Sequence, residues 1–131
     1  MSIAVAYWCV FVAAVLPYVW TVLAKARGER YDNRDPRAWL ACQTDPRVSR
    51  ANAAQLNAFE AFPAFAAGVV MADIAGVHEA RIALLAVVFV VARVLHGVFY
   101  VRGIPQARSL AWLVGFVCVA ALLVQAALAI R

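Results

Sequence analysis

The sequence predicts an all-α integral membrane protein, a four-helix bundle forming one domain over residues 1–131. Three observations carry that reading. Hydrophobic residues make up 66% of the chain and charged ones only 15%, whereas soluble domains are roughly 45–50% apolar. Four apolar windows, near 3–24, 56–75, 82–101 and 110–130, each approach the roughly 20 residues that cross a bilayer. The charges gather between those windows.

The first helix is expected over 3–27. It begins MSIAVAYWCVFV with no basic stretch, and its apolar run exceeds that of a signal peptide, so it reads as a retained span. Pro17 lies inside it, which membrane helices tolerate when neighbours satisfy the freed carbonyl; Gly28 weakens its end. The following loop holds DPRAWL and TDPRVSR, each with Asp before Pro, the pairing of an N-cap with a first-turn proline. Asp45 and Pro46 therefore start a second helix, 46–75, of about 45 Å at 1.5 Å per residue. DIAGVHEA turns the chain into a third helix, 81–101, and Gly103 and Pro105 break it before a fourth, 108–130. There is no internal repeat and no low-complexity tract.

Residues 25–55 carry seven basic side chains (Lys25, Arg27, Arg30, Arg34, Arg37, Arg47, Arg50) against four acidic ones (Glu29, Asp32, Asp35, Asp45). The third loop adds Arg102 and Arg108, while the second has Glu79 and Arg81. The positive-inside rule then puts the first and third loops in the cytoplasm and both termini outside. The net charge of +5 reports that topology and also suits an anionic ligand arriving from the cytoplasm. No nucleic-acid motif claims it. Cys9, Cys42 and Cys118 have no metal-ligand spacing, and no metal or disulfide framework is expected. The short, alanine-rich chain suggests a bacterial inner membrane, with the endoplasmic reticulum as the alternative.

At 100° per residue, Arg50, Asn57 and Glu60 share one stripe of the second helix, and Arg93, His96 and Tyr100 share one of the third. Such stripes face protein or water, because lipid cannot satisfy them. Depth suggests a Glu60–Arg93 ion pair, with Asn57 level with His96 or Tyr100. A pair of this kind serves equally to align two helices, and a lone Tyr is often an interface anchor. Five polar groups converging at one level point further, to a binding site. Arg108 and Ser109, opening the fourth helix, would add a cation and helix-start amides that favour an anion. Asp73, off the stripe, is expected at the outer interface.

Together RVSRANAAQLNAFEAFPAF and ARVLHGVFYVRGIPQARSLAW resemble the two signatures of the MAPEG family, membrane-associated proteins in eicosanoid and glutathione metabolism. The matching positions are Arg50, Asn57, Glu60 and Pro63, then Arg93, His96, Tyr100, Pro105 and Arg108. The segment CQTDPRVSR is similar to that of the glutathione-dependent prostaglandin E synthase branch. The resemblance implies a homotrimer with glutathione bound between subunits near the cytoplasmic side, contacted by Asn57, Glu60, His96, Tyr100, Arg108 and Ser109. It implies that Arg108 stabilises the thiolate, and that Lys25 or Arg27 contributes from a neighbouring subunit. The pattern departs at Leu56 and Ala53, where relatives are basic, and at Trp112, where a hydroxyl-bearing aromatic stands.

The expectation is a glutathione-dependent transferase or peroxidase acting on a lipophilic electrophile, with glutathione as co-substrate. The alternatives are a non-catalytic lipid-binding or scaffold protein of the same fold and, third, a small transporter relaying protons through Glu60, Arg93 and His96.

Overall fold

The computed structural model describes residues 1–130. It holds five helices: α1 (Ile3–Arg27), α2 (Pro36–Ala41), α3 (Pro46–Ile74), α4 (Glu79–Arg102) and α5 (Pro105–Ala129). No strand occurs among the described residues. The four long helices are those expected, and the short α2 is an addition. The Asp35–Pro36 pair that marked a cap does start a helix, with the Asp35 carboxylate accepting from the Ala38 amide at 3.0 Å.

Helices α1, α4 and α5 are long and apolar enough to cross a membrane, as expected of an integral membrane protein. The 29-residue α3 is apolar in its second half but carries Arg47, Arg50, Asn52, Gln55, Asn57 and Glu60 in its first. Proline at the first helical position begins both α3 and α5, because a residue without an N–H loses nothing where no intrahelical acceptor exists. For α5 this moves the start to Pro105, three residues earlier than the expected 108.

The bundle packs α1 and α5 on opposite sides of the α3–α4 pair. At its centre Phe65 of α3 stacks on Phe89 of α4, centroids 3.9 Å apart, among the buried Ile82, Val69 and Leu122. Nearer the α2 end, Trp20 of α1 lies directly against the backbone of α4 at Gly97, so that a Cβ there would overlap the indole ring. A glycine is required at that crossing.

At the other end, the Tyr7 hydroxyl donates to Asp73 at 2.8 Å and the Ile3 amide donates to Glu79 at 3.2 Å. These contacts fasten the start of α1 to the α3–α4 turn, where Gly76 adopts φ 77°. Asp73 therefore sits at the end away from the polar stripes, with a partner from α1. The opposite end carries α2, the start of α3 and the α4–α5 connection, and it is there that the polar stripes meet.

Candidate functional site

Three elements supply the polar residues. Helix α3 presents Asn57 and Glu60, α4 presents Arg93, His96 and Tyr100, and α5 presents Arg108 and Ser109. Among the described residues, the buried charged or polar side chains are Arg93 and His96, at 4% and 3% exposure. Inside a bundle such groups need partners.

Arg93 finds its partner in Asn57, whose Oδ1 accepts from Nη2 at 2.6 Å. The expected Glu60–Arg93 ion pair is not formed. Among the described residues the ion pairs are Arg34–Asp32 and Arg47–Asp45, both in the α2 region. The reason is helical phase rather than depth. Three residues advance an α-helix by about 300°, so Glu60 points about 60° away from Asn57 and emerges on the exposed side of α3. The Arg93 Nε has no hydrogen-bond partner among the described residues.

Two clefts open on this face. One, of about 250 Å³, is lined by Asn57, His96, Tyr100, Arg108, Ser109 and Trp112. The Arg108 guanidinium lies over the Tyr100 ring, 4.5 Å from its centroid, and His96 meets the same ring edge-on at 5.6 Å. A guanidinium over an aromatic face is held by the ring quadrupole while its N–H edge stays available to an anion. The cleft thus combines one fixed cation, an imidazole, two hydroxyls and an amide.

The second cleft, of about 260 Å³, shares Asn57 and Trp112 with the first and adds Glu60 and Arg93. Beyond them its walls are apolar, from Ala61, Ala64, Phe89 and Phe116. Trp112, stacked on Phe116 at 5.3 Å with the planes 8° apart, borders both clefts. A polar compartment therefore adjoins an apolar one.

Of the residues expected at a site, Asn57, Glu60, Arg93, His96, Tyr100, Arg108 and Ser109 line one or both clefts. Arg50 lines neither. Its guanidinium rests against Gly103, close enough that a Cβ would come within 2.8 Å of Nη1. Gly103 ends α4 with φ 71°, so Arg50 puts a cation at a helix C-terminus, where the macrodipole favours it. Arg108 lies one turn into α5 rather than at its opening. Its amide already donates to the Ile104 carbonyl at 3.1 Å, so it offers an anion its side chain only. Leu56 faces away from both clefts and lines a different one, between α1 and α3.

Trp112 takes the position, four residues after Arg108, at which the family pattern has a hydroxyl-bearing aromatic. That spacing, about one helical turn, brings both to the border of one cleft. Ala61, Ala64 and Gly115, whose small size leaves room for the apolar cleft, gave no signal, because alanine and glycine are common in membrane helices.

A family model described as MAPEG family matches residues 5–128. No curated protein matches the chain.

Proposed function

Because the chain belongs to the MAPEG family, we propose that it is a glutathione-dependent membrane transferase or peroxidase acting on lipophilic electrophiles. Family membership makes it a membrane protein of the glutathione and eicosanoid metabolism kind; the specific activity is our reading. The observation that carries it is Arg108, held over Tyr100 in a cleft that also contains Asn57, His96 and Ser109.

Glutathione supplies the nucleophilic sulfur. A free thiol has a pKa of about 8.5, lowered by an adjacent cation, and the Arg108 N–H edge is the cation available in this cleft. The thiol proton passes to cytoplasmic water. In conjugation a carbon–sulfur bond forms as the leaving group departs with its bonding pair; in peroxide reduction the sulfur takes the terminal oxygen as the O–O bond breaks and the alcohol leaves, and a second glutathione thiol then displaces water from the sulfenic acid to give the disulfide. Glu60, an exposed carboxylate at the cleft edge, suits the ammonium of the tripeptide. His96, Tyr100 and Ser109 offer hydrogen bonds. Arg93, committed to Asn57, acts as a positioning residue, and Arg50 serves to join α3 to the end of α4. Trp112 and the apolar cleft receive the electrophile from the bilayer.

We assign the protein to a bacterial inner membrane, crossed four times, with termini outside and the site near the cytoplasmic side. It assembles as a homotrimer whose neighbouring subunit closes the open face beside Glu60. Arg27, exposed at the end of α1, is the residue we assign to that neighbour's site.

The test is a glutathione titration of purified protein followed by thiolate absorbance. Wild type is expected to develop the thiolate signal, and Arg108→Ala to lose it by tenfold or more at equal occupancy. Absence of binding at millimolar glutathione would remove the enzyme reading. Binding without thiolate in wild type would favour the non-catalytic binder.

A further inference from the structure

Helices α4 and α5 also meet along a seam on the side away from both clefts. There they enclose a groove of about 410 Å³ whose lining side chains are all apolar. Leu95 of α4 borders it, about 100° to 160° around the helix from Arg93, His96 and Tyr100. Leu110 and Val114 of α5 form the opposing wall, about 160° around that helix from Trp112. A neighbouring subunit that closes the open face beside Glu60 therefore leaves this groove free.

The groove exists because its floor is alanine. Ala92 and Ala111 are buried, while Leu95 and Leu110 stand exposed on either side. Both walls belong to helices long and apolar enough to cross a membrane, so the groove opens on lipid. From Val87 to Phe99 it follows α4 for 12 residues, about 18 Å at 1.5 Å per residue. One leaflet supplies about 15 Å of hydrocarbon, half of the roughly 30 Å core. The groove has the length of one acyl chain.

The charge at its end selects the lipid. Arg102, exposed in the last turn of α4, lies about 20° around the helix from Leu95, so it carries the α4 wall on to the membrane surface. It has no acidic partner among the described residues, and no Asp or Glu occurs from residue 80 onward. Opposite it, α5 opens at Pro105. The Gln106 and Ala107 amides belong to its first turn, where no intrahelical acceptor exists, and such amides favour an anion. Ala107 itself lines the groove. A free cation and helix-start amides thus stand above a hydrocarbon-length groove.

We propose that the α4–α5 groove binds an anionic phospholipid of the leaflet on the α2 side, with one acyl chain against Ala92 and Ala111 and the phosphate on Arg102. The Gln106 and Ala107 amides donate to the phosphate oxygens. The site shares no lining residue with either cleft of the proposed glutathione site and stands whether or not glutathione binds.

Native mass spectrometry of the full-length protein in detergent tests this, with dioleoylphosphatidylglycerol, dioleoylphosphatidylcholine and inorganic phosphate as probes. Wild type is expected to retain phosphatidylglycerol about fivefold more strongly than phosphatidylcholine, the effect of about 1 kcal/mol from one basic residue at a membrane surface. Arg102→Ala should abolish that preference, and Arg102→Lys should keep it. Arg81→Ala, which removes an exposed cation at the other end of α4, should stay within twofold of wild type. Ala107→Leu, which fills the groove, should weaken retention of both lipids. Equal retention of the two lipids by wild type would overturn the proposal, as would an equal loss of preference in Arg81→Ala. So would binding of inorganic phosphate with no retention of lipid, or unaltered lipid retention in Ala107→Leu. A change of oligomeric state in Ala107→Leu would instead assign the groove to a second copy of the chain.

Discussion

Arg93 is the residue around which the polar interior is arranged. It is 4% exposed, hydrogen-bonds Asn57 at 2.6 Å and borders the apolar cleft. Removing its partner leaves a buried cation short of an acceptor, and a hydrogen bond to a charged group is worth about 1.5–3 kcal/mol. Asn57→Ala is therefore expected to lower stability by about that amount in reversible unfolding from detergent. Asn57→Leu combined with Arg93→Met removes both polar partners and should cost less than Asn57→Ala alone. A double variant weaker than the single would show that the pair does not interact as described. The two stripes were legible from sequence because helical periodicity is fixed. The choice of Asn57 over Glu60 was not, since it depends on about 60° of phase and on where α4 lies beside α3. Depth alone gives the wrong partner.

At the scale of elements, helix ends were legible where residues carry intrinsic signals. Asp45–Pro46 marks the start of α3, and Gly103 its αL end for α4. Pro105 after Gly103 reads as a breaker, yet proline suits the first position of a helix as well as the gap before it, which is why α5 begins earlier than expected. Invisible in the sequence was the closeness of α1 to α4, which hangs on Gly97 facing Trp20. Overpacking a tight crossing costs about 1–3 kcal/mol, so Gly97→Ala is expected to destabilise by that order, with Trp20→Leu in the same chain restoring part of the loss. Equal stability of Gly97→Ala and wild type would contradict the crossing.

The start of α3 should also respond to acid. The Arg47 side chain donating to Asp45 holds its carboxyl below the usual carboxylate range, and Arg34 does the same to Asp32. A carboxyl depressed in the folded state contributes stability above its unfolded pKa of about 3.9, and that contribution is lost as pH falls through the lower folded value. Amide exchange at Val48, Ser49 and Arg50 should therefore rise, after correction for intrinsic rates, as pH drops below about 4. Asp45→Asn, which keeps a capping oxygen without the charge, should flatten that dependence.

Across the whole molecule, the polar groups collect at the end of the bundle that bears α2 and the α4–α5 connection, and the far end is pinned by Tyr7–Asp73. The fold class was legible from composition, and the family from the two linked signatures, since the family model extends over residues 5–128. The division of the site into polar and apolar clefts was not, because Ala61, Ala64 and Gly115 act by the space they leave. The proposed function requires that Arg108, held over Tyr100, acidify a bound thiol. The most direct measurement is a pH titration of thiolate absorbance for glutathione bound to the purified protein. An apparent pKa clearly below the free-thiol value of about 8.5 is expected in wild type, returning toward that value in Arg108→Ala. Bound glutathione that titrates like the free thiol in wild type would contradict it.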